Sequence, residues 1–165
     1  MQENKMIRAI EPNDIQKVCD IYNHFILTTN ASFEVDPVAV EEMQRRVIEV
    51  TSTHPWLVYE ENGEVLGFCY ASKWKPRLAY RFTSEVTIYL DKDHLGQGIG
   101  KMLYQQLFAR LKEMGIHTMI ATIAIPNENS IQLHESFGFK QVGQFMDMGN
   151  KFGDWIDVGY WQCML

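Results

Sequence analysis

The spacing of apolar residues along the chain predicts four helices. A recurrence every three or four positions places side chains on one face of a helix. Apolar side chains recur in this way in residues 15–26, 40–50, 103–111 and 127–137. Asp36-Pro37 predicts the start of the second helix. Gly115 and Gly138 follow the last two segments, and glycine at such a position commonly ends a helix.

Shorter apolar or alternating runs predict seven strands. They lie at residues 6–10, 56–60, 65–71, 83–90, 117–125, 141–148 and 155–165. Asn62-Gly63 separates the second run from the third, and both residues tolerate positive φ, so we expect a hairpin there. In the fourth run, Val86, Ile88 and Leu90 alternate with more polar residues, which predicts one aliphatic face and one polar face.

The order of these elements predicts the fold class. It reads β-α-α-β-β-β-α-β-α-β-β, without a repeat or a linker. This order favours one mixed α/β (α+β) domain over residues 1–165, with helices flanking a mostly antiparallel sheet. With 46% hydrophobic and 22% charged residues, the chain has the composition of an ordinary globular protein.

Charge and cysteine content exclude several classes of function. The net charge of −6 and the lack of a Lys/Arg run argue against a nucleic-acid partner. No apolar stretch reaches the ~20 residues that span a membrane, and the first 25 residues lack a signal-type apolar core. The three cysteines lack zinc or disulfide spacing. We therefore expect a soluble cytoplasmic protein that uses no metal and does not bind a membrane.

A glycine-rich turn lies directly before the third helix, at residues 95–100. Three glycines in five residues let the backbone approach a ligand closely, and the helix N-terminus adds positive potential. The turn therefore predicts an anion site suited to a pyrophosphate, although a simple tight turn would contain the same glycines. It has neither the Lys-Ser/Thr of a Walker motif nor the spacing of a dinucleotide fingerprint.

Residues 83–100 followed by residues 127–139 resemble the GNAT N-acetyltransferase superfamily. In that family the turn holds the pyrophosphate of coenzyme A, and the preceding strand splays from its neighbour to bind the pantetheine arm. Within the family, four segments resemble the phosphinothricin and L-amino acid N-acetyltransferase branch. They are Ile21-Tyr22-Asn23-His24, Thr83-Ser84-Glu85, Ile125-Pro126-Asn127-Glu128-Asn129-Ser130 and Lys151-Phe152-Gly153-Asp154-Trp155. The similarity extends from Ile7 to Gln162.

The resemblance implies acetyl-coenzyme A as the acetyl donor and assigns its contacts. The implied contacts are Thr87, Ile88, Tyr89, Leu95, Gly96, Gln97, Gly98, Ile99, Gly100, Asn127 and Ser130. Asn127 also has the sequence context of a helix cap. In the family the turn usually opens with Gln or Arg, where this chain has Leu95, and it often carries Arg before the second glycine, where this chain has Gln97. We expect only a modest effect on affinity, because the backbone amides of the turn remain.

Acetyl transfer to an amine needs a base, because an α-amine is mostly protonated at neutral pH. Glu85 is the candidate: Phe82 and Val86 lower the polarity around it, and the resemblance places it beside the thioester. From the residues alone a solvated carboxylate on a strand would be the favoured interpretation, and the resemblance reverses this preference. His134 stands where many family members have a Tyr near the sulfur. It either protonates the departing thiolate or forms a hydrogen bond near the sulfur, or it is a structural histidine on a packed helix.

The acceptor site is predicted from chemistry and from the resemblance. A carboxylate suits a bidentate arginine, and Arg77 and Arg81 precede the strand that carries Glu85; a solvated cationic loop is the alternative. Phe33, isolated in a polar segment, either forms a wall of the same pocket or anchors the core. The aromatic C-terminal segment closes the pocket and packs a homodimer in the family, so we expect a homodimer here.

The leading hypothesis is therefore an enzyme that acetylates the α-amine of small amino acids or analogues. Phosphinothricin, methionine sulfoximine and methionine sulfone are examples. One alternative is a peptide or protein amine as acceptor, against which the cationic loop argues mildly. The other is a catalytically inactive domain that senses acyl-coenzyme A, against which the retained Glu85 and Asn127 argue.

Overall fold

The computed structural model describes residues 4–165, which form one seven-stranded sheet with helices on both faces. The strands β1 to β7 span Lys5–Ala9, Trp56–Glu61, Glu64–Lys73, Thr83–Leu90, Thr118–Ile125, Lys140–Lys151 and Asp154–Met164. The helices α1 to α4 span Ile15–Thr28, Val40–Thr51, Ile99–Glu113 and Glu128–Ser136. The strand order across the sheet is β1-β2-β3-β4-β5-β7-β6.

The sheet contains one parallel pair, β4 with β5, and this pair forks. The other neighbouring strands are antiparallel, as the sequence predicted. Residues 83–85 of β4 pair with residues 118–120 of β5, and pairing stops there although both strands continue. The edge of β4 that faces β5 therefore lacks a strand partner beyond Glu85. The expected mixed sheet with a splayed strand is confirmed.

Each face of the sheet has its own apolar core. On one face, α3 packs Leu103, Leu107 and Leu111, each fully buried, against the strands; replacing such a leucine by Ala costs about 2–5 kcal/mol. On the other face, α1 and α2 form a second core, against which Tyr89 of β4 packs. The prediction of a polar face on β4 was therefore wrong at Tyr89, because α1 covers it.

Helix α2 begins at Val40, four residues later than Asp36. The reason is a contact with α1: the Val38 N–H donates to Asn23 Oδ1 at 2.8 Å, and Asn23 Nδ2 donates to the Val38 carbonyl at 2.9 Å. These bonds hold the chain extended before the helix, and Ala39 is still extended at the N-cap. The hairpin at Asn62-Gly63 has the expected positive φ at both residues.

Cys19 and Cys69 are buried and Cys163 is half-buried, and all three are free thiols. Among residues 4–165, no helix combines the length and the apolar character that a membrane crossing requires. The same residues contain no group of three or more His, Cys, Asp or Glu side chains close enough to hold a metal ion.

Candidate active site

A cleft of about 690 Å³ opens at the fork between β4 and β5. Most of the predicted site residues line it: Phe33, Glu85, Thr87, Ile88, Tyr89, Leu95, Gly96, Gly98, Gly100, Asn127, Ser130 and His134. Gln97, Ile99, Arg77 and Arg81 do not. Because β4 side chains alternate between the two faces, the cleft connects the α3 face of the sheet with the α1 face.

The glycine turn forms the α3 end of the cleft. Gly96 and Gly98 have φ of +73° and +80°, a conformation that strains other residues, and Gly98 is the N-cap of α3. A Cβ on Gly100 would lie 3.3 Å from Leu133 Cδ2, so this glycine permits close packing of α3 on α4. Ile99 is buried in the core. The turn thus presents backbone N–H groups and a helix N-terminus, which suit a pyrophosphate.

Glu85 lies at the vertex of the fork, as the last residue of β4 that pairs with β5. Thr122 Oγ1 of β5 donates to Glu85 Oε2 at 3.1 Å. Burial raises the pKa of Glu85, against the opposing effects of the Thr122 hydrogen bond and the charge of Lys75. A carboxylate with a raised pKa is better matched to accept a proton near neutral pH. Thr122 and Lys75 were not assigned from the sequence.

His134 is buried on the α3 side, with both ring nitrogens hydrogen-bonded. Nδ1 donates to the Ser130 carbonyl at 2.7 Å, so in the neutral ring Nε2 accepts from the Tyr104 hydroxyl at 2.9 Å. Burial lowers the pKa of His134, although the Ser130 carbonyl opposes this. The lowered pKa favours the neutral form of the ring, in which Nε2 can accept the Tyr104 hydrogen bond. Sequence reasoning missed Tyr104, which lies within the apolar pattern of α3 and lines the cleft.

Asn127 caps α4 and also lines the cleft. Its Oδ1 accepts from the Ser130 N–H at 3.3 Å, which is the capping geometry that the sequence indicated. Its contact with the pantetheine arm stays a prediction. Lys101, in the first turn of α3, also lines the cleft and places a cation beside the glycine turn. Sequence reasoning missed Lys101, although its position directly after Gly100 indicates a cation next to the glycine turn.

The α1 end of the cleft is bounded by Phe25 of α1, by the segment that follows α1 and by side chains on the same face of β4 and β5. Ala31, Ser32 and Phe33 line it. The cationic loop lies outside the cleft: Arg81 stacks on the Phe82 ring at 4.3 Å and donates to the Leu78 carbonyl. The roles of Arg77 and Arg81 in substrate binding stay predictions.

Three comparisons relate the chain to known proteins. The family model described as an acetyltransferase (GNAT) domain matches residues 7–159. The phosphinothricin N-acetyltransferase of Streptomyces viridochromogenes is 38% identical over 94% of this chain and 85% of that protein. The L-methionine sulfoximine/L-methionine sulfone acetyltransferase of Salmonella typhimurium is 33% identical over 96% and 94%. A phosphinothricin acetyltransferase from Sinorhizobium meliloti, solved with acetyl-coenzyme A, superimposes with a TM-score of 0.94 at 35% identity, over 98% and 88% of the two chains.

The chain therefore belongs to the GNAT acetyltransferase family. It is an N-acetyltransferase, and acetyl-coenzyme A is its acetyl donor. The family, the fold and the donor that the sequence predicted are confirmed. The glycine turn and the unpaired edge of β4 fit a coenzyme with a pyrophosphate and an extended arm.

Proposed function

We propose that this enzyme acetylates the α-amine of a small amino acid or analogue, of the size of phosphinothricin, methionine sulfoximine or methionine sulfone. The observation that carries the proposal is Glu85, a carboxylate with raised pKa at the point where the two ends of the cleft meet. The relatives from Streptomyces viridochromogenes and Salmonella typhimurium are named for such acceptors, which supports the proposed substrate class.

Glu85 is the general base in this proposal. It takes a proton from the substrate ammonium group, and the neutral nitrogen then attacks the thioester carbonyl carbon directly. The new C–N bond forms, the C–S bond breaks, and the second proton leaves the nitrogen as the sulfur becomes a thiol. General base catalysis contributes about 10²–10⁴-fold to such a rate. Thr122 holds the Glu85 carboxylate towards the fork.

In the same proposal, backbone groups bind acetyl-coenzyme A more than side chains do. The N–H and C=O groups of Thr87, Ile88 and Tyr89 pair with the amides of the pantetheine arm, because that edge of β4 has no strand partner. Residues 95–100 bind the pyrophosphate through N–H groups. Asn127 and Ser130 contact the arm from α4. The expected proton donation by His134 to the sulfur does not fit its hydrogen bonds, because its single N–H donates to the Ser130 carbonyl; in this proposal His134 orients the Tyr104 hydroxyl instead.

We also propose that the chain is one domain over residues 1–165 and forms a homodimer in the cytoplasm. Large apolar side chains on the β6–β7 hairpin are exposed, among them Met146 at 78% and Trp155 at 66%, and clustered exposed apolar residues are typical of an interface. Free cysteines fit a reducing compartment. Light scattering at micromolar concentration tests the dimer; a monomer mass contradicts it.

The experiment that tests the function measures release of free coenzyme A from acetyl-coenzyme A. The acceptors are the free amino acids, phosphinothricin, methionine sulfoximine, methionine sulfone and a mixture of short peptides. Release confined to a few of the small acceptors is the expected result. Release with peptides alone would assign a peptide amine as acceptor. Coenzyme binding without release from any amine would assign an acyl-coenzyme A sensor.

A further inference from the structure

A buried lysine outside the cleft connects the far end of the chain to the wall of the cleft. Lys151, the last residue of β6, is only 4% exposed. Its Nζ donates to the Thr29 carbonyl at 2.8 Å and to the Ser32 carbonyl at 2.7 Å. Among residues 4–165 this ammonium group forms no ion pair within 4 Å; the charge of Glu34 acts on it from farther away, and Nζ lies 5.1 Å from the centroid of the Phe152 ring. Burying a charged group is unfavourable unless it is hydrogen-bonded, so the two carbonyl groups are the contacts that compensate for the burial of Lys151.

The segment that Lys151 holds, residues 29–33, has no helix or strand structure of its own. Its position therefore depends on contacts with its neighbours. Tyr89 of β4 donates to the Ala31 carbonyl at 3.2 Å, and the hydroxyls of Tyr22 and Ser32 are 2.9 Å apart. Three elements, β4, α1 and β6, thus fix the segment, and only β6 holds it through a charged group.

A second contact from β6 positions Phe33. A Cβ on Gly149 would lie 2.5 Å from Phe33 Cε2, so the absence of a side chain at Gly149 lets the phenyl ring lie against the strand. Phe33 also lines the cleft. The end of β6 therefore determines where this aromatic wall stands.

The wall lies on the same face of β4 as the Glu85 side chain. Glu85 and Tyr89 share one face of β4, because strand side chains alternate, and Tyr89 contacts the segment directly. Val86 and Ile88 point to the opposite face, with the core of α3. We call the α3 end of the cleft the coenzyme end, because the donor is proposed to bind there. The coenzyme end and the wall thus lie on opposite faces of β4.

We propose that Lys151 is a positioning residue for the acceptor: it holds residues 29–33, and with them Phe33, as the wall against which the acceptor's carbon side chain lies. The proposal rests on the proposed function, since it assumes a small acceptor amine at Glu85. Lys151 does not touch the reacting atoms. Its loss should weaken acceptor binding and leave donor binding intact.

The first test compares Lys151→Met with Lys140→Met, the same substitution at the exposed other end of β6. L-Methionine sulfone is the probe acceptor. We expect Lys151→Met to raise the KM for methionine sulfone by about tenfold or more, the range for loss of charge-assisted hydrogen bonds. The KM for acetyl-coenzyme A should stay within about twofold of wild type. Lys140→Met should change neither constant. An unchanged acceptor KM, or an equal rise of both constants, overturns the proposal.

The second test needs no turnover. Hydrogen–deuterium exchange should become faster in residues 29–33 of Lys151→Met, where the Ala31 N–H donates to Thr29 Oγ1, and stay unchanged in the glycine turn. Equal exchange in both proteins overturns the proposal. If wild type acetylates no amine, the proposed function fails, and exchange alone decides the role of Lys151.

Gly149→Ala decides the matter if Lys151→Met does not fold. The added methyl group displaces the ring of Phe33, which is exposed and has room to move. The substitution should therefore raise the KM for methionine sulfone. Gly143→Ala, where a Cβ meets nothing within 4 Å on the same strand, should be silent. An acceptor KM in Gly149→Ala equal to that of wild type contradicts the assignment of the wall.

Discussion

The two ends of the cleft are built in different ways. The coenzyme end comes mostly from one continuous stretch, β4, the glycine turn and α3, and it presents mainly backbone groups. The α1 end, which we call the acceptor end because the acceptor is proposed to bind there, is held by side chains from segments far apart in the chain. Lys151 contacts the carbonyls of Thr29 and Ser32, and Thr122 contacts Glu85. Binding at the coenzyme end should therefore depend on backbone geometry, and binding at the acceptor end on single side chains. Each of the following substitutions tests one side of this contrast.

Glu85→Gln should have the largest effect. The amide keeps the shape of the side chain but cannot accept the proton of the ammonium group, so we expect kcat to fall by about 10²-fold or more. The affinity for coenzyme A, measured by calorimetry, should not change. Glu113→Gln, at the exposed end of α3, is the control. A variant at full rate at neutral pH would exclude Glu85 as the base.

Gly98→Ala should mainly affect the donor. With φ at +80°, an L-residue is strained by about 1–2 kcal/mol, and relief of that strain would turn the N–H groups away from the pyrophosphate. We expect the KM for acetyl-coenzyme A to rise about tenfold and the acceptor KM to stay constant. Gly63→Ala, equally strained at φ +86° but in the distant hairpin, should lose stability without this KM change. An equal rise in the KM for acetyl-coenzyme A in both variants would mean that backbone strain in general, and not the geometry of the glycine turn, causes the rise.

Thr122→Val should change the pH dependence more than the maximal rate. The Thr122 hydrogen bond favours the ionised form of Glu85 and opposes the rise in its pKa that burial causes. Without this bond the pKa of Glu85 rises further. Because the ionised form is the base, the acid limb of kcat/KM against pH should move to higher pH, while the rate on the alkaline plateau stays near that of wild type. An acid limb in the same place would show that Thr122 does not act on Glu85.

The sequence predicted the coenzyme end better than the acceptor end, and the contrast above explains why. The predicted fourth strand coincides with β4, and the predicted glycine turn directly precedes α3, because both depend on neighbouring residues. Thr122, Tyr104 and Lys151 were missed because their partners lie 37, 30 and 119–122 residues away. The late start of α2 has the same origin, since Asn23 holds Val38 extended across 15 residues.

The smallest expected effect is that of Lys101→Ala. Lys101 is exposed in the first turn of α3 and lines the coenzyme end of the cleft, where its charge attracts phosphate groups. Exposed charges are screened, so we expect the KM for acetyl-coenzyme A to rise only about two- to fivefold at low salt and the difference from wild type to fade at 1 M salt. Lys112→Ala, exposed at the other end of the same helix, is the matched control. A tenfold effect that persists at high salt would contradict a coenzyme end built mainly from backbone, because a side chain would then dominate there as it does at Glu85.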